Sequence, residues 1–481
     1  MGSFYIENFG CRATQADGAA LERQFLDQGL QRASAKDAAD VVVLNTCTVT
    51  SGADQDARST IRRVHRANPK ARIVVTGCYA QRAPKEISEL AGVSQVIGNS
   101  HKHELARIVV QPQGFVPIET LTASPVSQSS PPLTGNQGVE AEIFVSDIFA
   151  HTELLAAPVF DAANERTRPN LKVQDGCDNR CSFCVIPSVR GQSRSLPLER
   201  VISEATALVN AGYKELVISG INLGRWGRDL EVDAPSDDAT TGAVFESTNQ
   251  ESLRKETRFV DLIRALLSRT SLEKLRISSV EPMDWSDELI SLIAKSPRIA
   301  KHAHVPMQSG SDAVLRRMHR KYRPWHYREK ILKIRDAMPT AAIGADVMVG
   351  FPGETDQEFN ETRRLVRELP FTYLHVFTFS GRPGTPAAEM QNQVPVRIAR
   401  DRNRILRELA AQKKLEFMQS FVGKSVEAIT LKDAPDVAVR GTQITALTDN
   451  YLKLRLAGPY ESNRWISAIV GSVEDGELVA S

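Results

Sequence analysis

Cysteine is scarce in this chain, occurring six times in 481 residues. Domains held together by disulfides are much denser in cysteine and are secreted, so a disulfide framework is excluded. No apolar run approaches the roughly 18 residues of a membrane helix, and the first residues lack the basic and apolar segments of a secretory signal. The formal net charge of +2 gives no bulk attraction to nucleic acid. We therefore expect a cytoplasmic protein with thiols free for metal binding or catalysis.

The six cysteines fall into two sets of three. Cys177, Cys181 and Cys184 lie in one short loop with the spacing C-x3-C-x2-C. A structural zinc site needs four ligands and has a second pair nearby, which this loop lacks. Fully ligated four-iron clusters take four thiolates, so three thiolates leave one iron open. Because catalytic metal sites keep an open position, the loop predicts a cluster that binds a further ligand.

The second set of cysteines follows strands of a predicted sheet. Residues 1–110 alternate short β-branched runs with polar helical stretches, which predicts an open parallel α/β sheet domain. Cys11, Cys47 and Cys78 come directly after three successive strands, whose carboxyl ends line the ligand-binding edge of such a sheet. Buried apolar cysteines are the alternative. Three equivalent positions favour convergence and a second cluster with one open iron.

The central segment, residues 166–384, alternates strands and helices again. About six strand–helix units fit an incomplete (β/α)6 barrel better than an eight-unit barrel, which needs about 250 residues. Thr355 and Glu358 have the spacing of a capping box at the start of one helix. The cysteine loop follows the first strand, at the carboxyl-end face where such barrels place their chemistry.

The remaining segments differ in composition. Residues 111–165 are rich in proline and serine and predict a linker, and residues 229–251 predict an exposed acidic insertion. Residues 385–420 predict a helical connector, whose arginines form either a solvated face or a phosphate-binding face. Residues 421–481 predict a small all-β barrel with a basic aromatic face, a common way to hold RNA. The candidate RNA-binding residues of these two segments are Arg397, Arg400, Arg404, Tyr451, Lys453 and Arg455.

These motifs resemble the radical S-adenosylmethionine (SAM) methylthiotransferase family. The loop at Cys177 resembles that of radical SAM enzymes. The stretches Asn45–Thr50 and Val75–Gln81, which surround Cys47 and Cys78, are similar to the family's N-terminal domain. The tail, from Gly423 through the turn at Thr448–Tyr451, is similar to the TRAM RNA-binding module. The resemblance covers most of the chain except the linker and the acidic insertion, and it implies a radical SAM barrel in the centre.

Smaller features indicate the branch of the family. Asn45–Thr50 followed by Ala53 and Asp54, together with Val173–Cys177, resembles the branch that acts on N6-threonylcarbamoyladenosine in tRNA. One departure is Thr14, where the family commonly has asparagine. The change affects a neighbour of Cys11 and leaves the cysteine itself in place.

The resemblance implies a sulfur-group transferase with two 4Fe–4S clusters and SAM as cofactors. Cys177, Cys181 and Cys184 would hold the cluster that cleaves SAM to a 5′-deoxyadenosyl radical. Cys11, Cys47 and Cys78 would hold the second, which carries the sulfur. The product would be 2-methylthio-N6-threonylcarbamoyladenosine at position 37, next to the anticodon of tRNA. The chemistry would belong to the clusters, so no side chain is assigned a catalytic role. We expect a monomer, and the sequence names neither its electron donor nor its sulfur source.

Contacts to SAM and to RNA phosphates are expected at the strand ends and loops of the barrel, where turn-forming or ordinary surface roles are the alternatives. The SAM candidates are Ser219, Gly220, Ser279, Gln308, Ser309, Gly310 and Asp346. The phosphate candidates are Arg190, Arg194, Arg320, Lys321 and Arg323.

Three other functions stay open at this point. Two lie within the same fold, namely methylthiolation of isopentenyladenosine in tRNA and methylthiolation of a ribosomal protein. The third is a different class, a non-catalytic RNA-binding protein with structural zinc.

Overall fold

The computed structural model describes residues 2–110, 141–151, 167–230, 258–432 and 443–481. Most of the predicted linker and of the predicted acidic insertion lies outside these residues. The chain divides into two compact units, Met1–His151 and Thr152–Ser481, and each is described by itself.

The first unit is a parallel sheet with strand order β2-β1-β3-β4-β5-β6. Its central strand, Val41–Thr46, is buried along its whole length because its sequence, VVVLNT, is almost wholly apolar or β-branched. The strands are β1 Ser3–Asn8, β2 Gln31–Arg32, β3 Val41–Thr46, β4 Arg72–Gly77, β5 Val93–Ile97 and β6 Glu142–Phe144. The helices are α1 Arg12–Asp27, α2 Ser51–Ala67, α3 Cys78–Arg82, α4 Pro84–Ser88 and α5 Leu105–Val110.

The edge strand β6 falls within residues 111–165, which the composition marks as linker. It pairs in parallel with β5 through Gln95–Glu142, Val96–Ile143 and Ile97–Phe144. Three residues carry too little periodicity to predict a strand. The part of this segment that the structure describes therefore extends the N-terminal sheet and does more than connect.

The second unit begins with six parallel strands that curve around one interior. They form two three-stranded sheets, β11-β10-β7 and β12-β13-β14. Bridges between Leu275 and Ile299 and between Ser279 and His304 join the two sheets. The strands are β7 Asn170–Lys172, β10 Glu215–Ser219, β11 Lys274–Ile277, β12 His302–His304, β13 Ala342–Val349 and β14 Tyr373–Thr378. A small antiparallel ribbon, β8 Gln174–Asp175 with β9 Arg194–Ser195, follows β7. This arrangement confirms the incomplete (β/α)6 barrel.

Helices cover the outer face of this barrel. Thr355 and Glu358 form the predicted capping box at the start of one of them. The helices are α6 Ile186–Arg190, α7 Leu198–Asn210, α8 Phe259–Arg269, α9 Asp287–Lys295, α10 Asp312–Arg317, α11 Pro324–Ala337, α12 Asp356–Glu368, α13 Pro386–Glu389 and α14 Val396–Gln419.

Helix α14 does more than connect, although its segment predicts only a connector. Leu406 is buried in the core of the barrel, and the Asn403 amide donates a hydrogen bond of 3.0 Å to the carbonyl oxygen of Val376 on β14. Further along, Met418 belongs to the core of the C-terminal barrel. The helix completes the sixth strand–helix unit and continues into the next domain.

The C-terminal segment is a closed barrel with strand order β15-β16-β17-β19-β18. The strands are β15 Ser425–Thr430, β16 Gln443–Thr448, β17 Lys453–Ala457, β18 Trp465–Glu474 and β19 Glu477–Ala480. Strand β19 has no counterpart in our sequence analysis. Its signal was the dipeptide Asp475-Gly476, where both residues have positive φ, as a two-residue hairpin turn requires.

Among the described residues, we find no helix whose length and apolarity would carry it across a bilayer.

Candidate metal centres

The loop of Cys177–Cys184 is fixed by backbone contacts on both sides. Gly176 has φ +73, and a Cβ atom there would lie 1.8 Å from the carbonyl oxygen of Gln192, so only glycine fits. The Ser182 amide donates to the Met318 carbonyl at 3.2 Å, and its hydroxyl donates to the Arg317 carbonyl at 2.7 Å. The loop is thus held in place independently of any metal.

The sulfur atoms in this loop accept hydrogen bonds from nitrogen donors. The Cys177 sulfur lies 3.4 Å from the Asn179 amide and 3.6 Å from Nδ2 of Asn222. The Cys181 sulfur lies 3.2 Å from Nη1 of Arg320. Burial raises the pKa of Cys177 and raises that of Cys184 to about 12. Burial therefore favours the protonated thiols of Cys177 and Cys184 until a metal displaces the protons, while the nearby donors suit thiolates.

A buried ion network supports the loop from below. The Asp175 carboxylate receives hydrogen bonds from Nη1 of Arg190 at 2.9 Å and from Nζ of Lys172 at 2.9 Å. Only 2% of the Arg190 surface is exposed. The prediction that Arg190 contacts RNA phosphate is therefore wrong, because its charge is already paired in the interior.

Arg320 is also committed inside the protein. Besides Cys181, its guanidinium pairs with the carboxylate of Glu281. Burial is the main cause that raises the pKa of Glu281, whereas Arg320 opposes this rise. Arg320 is thus a cation placed against a candidate cluster ligand and is not a phosphate contact. Of the other phosphate candidates, Arg323 pairs with Asp312 at 3.2 Å.

The second cysteine triad sits on adjacent strands, as predicted. Cys11, Cys47 and Cys78 follow β1, β3 and β4, which are neighbours in the sheet. Cys11 is exposed, while the other two cysteines are buried. A Cβ atom at Gly10 would lie 2.6 Å from Cβ of Cys47. The turn that precedes Cys11 therefore packs directly on the Cys47 side chain.

Polar atoms surround this triad too. The Cys11 sulfur lies 3.5 Å from the Thr14 hydroxyl, and the Cys47 sulfur lies 3.5 Å from the Val49 amide. Nδ2 of Asn99 lies 3.7 Å from the Cys78 sulfur. Thr14 thus places a polar atom beside Cys11.

A buried ion pair lies behind this triad. Nζ of Lys102 lies 3.1 Å from Asp17 and 3.2 Å from Oδ1 of Asn45. The Asn45 amide group in turn donates a hydrogen bond of 2.8 Å to the carbonyl oxygen of Thr14. These contacts tie the start of α1, which carries Cys11, to the end of β3, which carries Cys47.

The spacing of the sulfurs bears on the kind of metal. Three thiolates on one zinc ion, at about 2.3 Å each, lie about 4 Å apart. Within the described ranges, the ligand atoms that gather within 4.8 Å of one another belong to His304, Asp346 and His375, and neither cysteine triad forms such a group. At least one pair of sulfurs in each triad is therefore more than 4.8 Å apart, which is wider than a single zinc ion needs.

The SAM candidates divide into two groups. Ser219 ends β10 and is buried, and its hydroxyl has no hydrogen-bond partner in the part of the chain that the structure describes. Ser309 and Gly310 instead hold their loop against α12, since the Thr362 hydroxyl lies 3.1 Å from the Ser309 hydroxyl and 3.0 Å from the Gly310 amide. Packing accounts for both of these residues.

The remaining SAM candidates lie on or near the barrel interior. Gly220 packs on Gln174, and a Cβ atom there would lie 2.8 Å from the Gln174 side-chain oxygen. Ser279 and Gln308 form bridges to His304 and Val347. Asp346 lies on β13 beside His304, with 3.4 Å between its Oδ1 and Nε2 of the histidine.

The RNA candidates also divide. Arg397, Arg400 and Arg404 are exposed on one side of α14, whereas Arg402 between them is buried against Glu354 at 2.7 Å. Tyr451 packs against the barrel, with its ring 4.8 Å from that of His302 and 6.0 Å from that of Tyr373. This packing accounts for Tyr451 without RNA.

The tail also carries two basic candidates on its outer face. Lys453 and Arg455 alternate with the buried Leu452, Leu454 and Leu456, as the pattern predicts. Lys453 pairs with Glu477 at 3.2 Å, and Arg455 pairs with Glu474 at 3.2 Å. These acidic neighbours offset part of their charge.

Sequence reasoning missed the polar groups that support the cysteines. Asn222 is one, since a single asparagine after a strand carries no signal until the fold brings it to Cys177. Asp175, Asp17 and Lys102 are others, and their sequence separations give no indication of pairing. Lys172 gave a hint of such a group. It lies within the predicted strand β7, and a charged residue in a buried strand needs a partner of opposite charge.

Two protein families match the N-terminal sheet and the central barrel. Residues 171–366 match the radical SAM superfamily, and residues 3–98 match the uncharacterized protein family UPF0004. A solved radical SAM methyltransferase, TsrM from Kitasatospora setae, aligns with a TM-score of 0.51 at 15% identity, covering 80% of this chain and 76% of that one. That likeness shows the fold. The chain is a radical SAM enzyme, and this class uses SAM and a 4Fe–4S cluster.

Relatives of known name match nearly the whole chain. The threonylcarbamoyladenosine tRNA methylthiotransferase MtaB of Bacillus subtilis is 35% identical, covering 95% of this chain and 91% of that protein. The MtaB of Aquifex aeolicus is 34% identical, with coverage of 97% and 99%. A tRNA-2-methylthio-N6-dimethylallyladenosine synthase from Saccharopolyspora erythraea is 33% identical, with coverage of 89% and 78%. The chain belongs to the MtaB-type family of radical SAM methylthiotransferases.

Proposed function

We propose that this enzyme transfers a methylthio group to C2 of N6-threonylcarbamoyladenosine at position 37 of tRNA. The observation that carries the proposal is the pair of cysteine triads, one within the loop after β8 and the other at the carboxyl ends of three parallel strands. The MtaB relatives named for this reaction support the choice of substrate. Each triad offers one ligand fewer than a closed four-iron cluster takes.

In this proposal Cys177, Cys181 and Cys184 hold the 4Fe–4S cluster at which SAM binds. When bound, the cluster and SAM supply a radical that removes hydrogen from an aromatic carbon, which no side chain is basic enough to deprotonate. The chain's own part is to fix the loop and to place donors at the sulfurs. The Arg320 guanidinium and the Asn222 amide stabilise thiolate charge, a contact that also tunes cluster potential.

Cys11, Cys47 and Cys78 hold the second cluster in this proposal. Their sulfurs lie beside the Thr14 hydroxyl, the Val49 amide and the Asn99 amide group, which donate to thiolates. The three sulfurs do not all lie within 4.8 Å of one another, which argues against a single metal ion. The triad would present the sulfur that is transferred.

SAM contacts are proposed at five positions on the barrel interior. Ser219 is the best supported, because a buried hydroxyl without a partner costs stability unless a ligand satisfies it. The other four are Gly220, Ser279, Gln308 and Asp346. A ligand here would lie at the ends of the strands, where barrels of this type bind their substrates.

The exposed arginines of α14 are proposed to contact tRNA phosphates. Arg397, Arg400 and Arg404 follow helical spacing on one face. Changing all three to glutamine should weaken tRNA binding and reduce the slope of log K against log salt by about 0.7 per lost contact. Arg363 on α12, an arginine for which no RNA role is proposed, provides the matched control. An unchanged slope in the triple variant would remove α14 from the interface.

The reaction itself is tested by nucleoside analysis and metal content. Mass spectrometry of tRNA nucleosides from a deletion strain should show N6-threonylcarbamoyladenosine without its 2-methylthio derivative. An intact 2-methylthio pool, or loss of the isopentenyl derivative instead, would contradict the substrate. Anaerobically purified protein should hold about eight irons and eight sulfides. Zinc without sulfide would favour a non-catalytic RNA-binding protein.

A further inference from the structure

Strands β12, β13 and β14 present several polar side chains to the interior of the barrel. Val347 and Val376 point outward into the core between strands and helices. Because side chains alternate along a strand, the intervening residues of β12 to β14 face the interior. The residues on that side include His302, His304, Asp346, Met348, Tyr373, His375 and Phe377. Barrel interiors of this kind are usually filled by branched apolar residues, so the polar rings call for an explanation.

The rings form one continuous surface. The ring centroid of His304 lies 5.6 Å from that of His375 and 5.9 Å from that of Tyr373. The His302 ring nitrogen Nε2 lies 2.7 Å from the Tyr373 hydroxyl. The ring of Phe377 lies 6.5 Å from that of His375. We call His304, Tyr373, His375 and Phe377 the ring wall.

The ring wall is closed at one end and open at the other. Tyr451 covers the amino end, where its ring contacts those of His302 and Tyr373. Toward the carboxyl end of β14, His375 is exposed and Phe377 is 46% exposed. Strand β14 is the last strand of its sheet. A flat group entering from the carboxyl end can therefore reach these rings.

The wall lies close to the cysteine loop. Arg320 contacts the Cys181 sulfur at 3.2 Å and pairs with Glu281. Burial is the largest cause of the raised pKa of Glu281. The negative charges of Asp284 and Asp346 also raise this pKa, so Asp346 lies within electrostatic range of Glu281. Asp346 is in turn 3.4 Å from His304. A group held on the wall is thus near the site proposed for SAM.

The chemistry of the wall suits a polar purine substituent. Nε2 of His304 is buried and makes no well-formed hydrogen bond with a described residue, although the Asp346 carboxylate lies 3.4 Å from it. A buried polar atom in this state costs about 1–3 kcal/mol unless a ligand pairs with it. The threonylcarbamoyl group offers urea, hydroxyl and carboxylate atoms, whereas an isopentenyl group offers only hydrocarbon. Exposed aromatic rings such as Phe377 are the usual stacking partners of an extruded base.

We propose that the ring wall is the specificity pocket of this enzyme, in which Phe377 stacks on the target adenine while His304 and His375 bind the polar N6 substituent. The proposal rests on the proposed function, since it assumes that the substrate is a modified adenosine. It adds the residues by which this chain would distinguish a threonylcarbamoyl from an isopentenyl substituent. Sites built to hydrogen-bond a polar group discriminate strongly against analogues that lack it.

The test compares two substrates across matched variants. Reconstituted enzyme is assayed with anticodon stem-loops that carry either N6-threonylcarbamoyladenosine or N6-isopentenyladenosine, and each rate is divided by 5′-deoxyadenosine formation without RNA. His304→Phe and His375→Phe keep a ring but remove its hydrogen-bonding atoms. Each should lower kcat/KM for the threonylcarbamoyl substrate about 10-fold to 100-fold, the loss expected for one or two hydrogen bonds. His375→Gln retains a donor and should recover most of this loss.

One control variant and three contrary outcomes complete the test. His326→Phe makes the same chemical change at an exposed position on α11 and should leave kcat/KM unchanged. An unchanged kcat/KM in both His304→Phe and His375→Phe overturns the proposal. Stoichiometric zinc, cobalt or manganese that is lost in His375→Phe also overturns it, because His304, Asp346 and His375 would then form a metal site. Wild-type enzyme that modifies only the isopentenyl substrate overturns the proposed function instead.

Discussion

The two cysteine triads reach the same ligand count by different routes. Cys177, Cys181 and Cys184 lie within eight consecutive residues, and one loop fixes all of them. Cys11, Cys47 and Cys78 are spread over most of a domain and meet only because β1, β3 and β4 are adjacent and parallel. The first triad is a property of local sequence, and the second is a property of topology. A change in the sheet should therefore affect the second triad alone.

Both triads nevertheless rely on the same physical supports. Each has a buried ion pair behind it, Asp175 with Lys172 in one case and Asp17 with Lys102 in the other. Each also has a glycine of positive φ at a close approach, Gly176 in the loop and Gly10 beside Cys47. Buried charges and crowded glycines are expensive features. Their presence in both regions indicates that sulfur positions are held tightly before any metal binds.

The largest expected effect comes from removing one ligand from each triad. Cys177→Ala should abolish 5′-deoxyadenosine formation and methylthiolation together. Cys11→Ala should abolish methylthiolation yet keep 5′-deoxyadenosine formation, because the loop triad is intact. Each variant should lose about four of about eight irons. Iron analysis and product chromatography measure both. If Cys11→Ala retained normal methylthiolation, the strand-end triad would not carry the transferred sulfur.

The next effect concerns the ion pairs behind the triads. Asp175→Asn removes the buried carboxylate that pairs with Lys172 and Arg190, and Asp17→Asn removes the one that pairs with Lys102. Each should lower the free energy of unfolding by about 3–5 kcal/mol, the usual cost of breaking a buried pair. Urea denaturation of the anaerobic protein measures this loss.

The exposed pair of Glu199 and Arg269 is the matched control. These residues also form a bidentate pair, with side chains 73% and 43% exposed. Glu199→Gln should leave the midpoint of urea denaturation nearly unchanged, because exposed pairs contribute little to stability. If Glu199→Gln destabilised the protein as much as Asp175→Asn and Asp17→Asn do, burial would not be the reason that the supporting charges stabilise it.

The same contrast explains which features the sequence could reveal. The loop triad, the parallel N-terminal sheet and the incomplete barrel follow from spacing and from hydrophobic periodicity, and the structure confirms both folds. The short edge strand Glu142–Phe144 and the hairpin strand Glu477–Ala480 were missed, because four residues or fewer carry little periodic signal.

The functions of individual polar residues were harder to predict. Arg190 and Arg320 resemble surface cations in the sequence, and only the fold shows that Asp175 and Glu281 pair with them in the interior. Tyr451 and Gly310 are similar cases, since their packing partners lie more than fifty residues away in the chain. Pairing across long separations is set by tertiary contacts that a single sequence does not encode locally.

A smaller effect is expected from the glycine beside the strand-end triad. Gly10→Ala should displace Cys47, because the new Cβ atom would lie 2.6 Å from that side chain. Gly29→Ala is the matched control, since Gly29 also has positive φ, at +81, but has no neighbour within 4 Å. The control should cost only the backbone strain of about 1 kcal/mol. Gly10→Ala should cost more and should also lose iron from the strand-end triad, while 5′-deoxyadenosine formation persists. Equal iron content in the two variants would contradict the close packing of the turn on Cys47.

The smallest effect concerns Thr14, a neighbour of Cys11. The Thr14 hydroxyl lies 3.5 Å from the Cys11 sulfur, a long contact that is worth about 0.5–1.5 kcal/mol at most. Thr14→Val removes the hydroxyl at constant shape and should slow methylthiolation about 2-fold to 10-fold. Thr14→Ser keeps the hydroxyl and should preserve the rate. If the valine variant kept the wild-type rate while the serine variant lost it, Thr14 would act through packing of its methyl group. The loop triad has no residue that corresponds to Thr14, so 5′-deoxyadenosine formation should be the same in both variants.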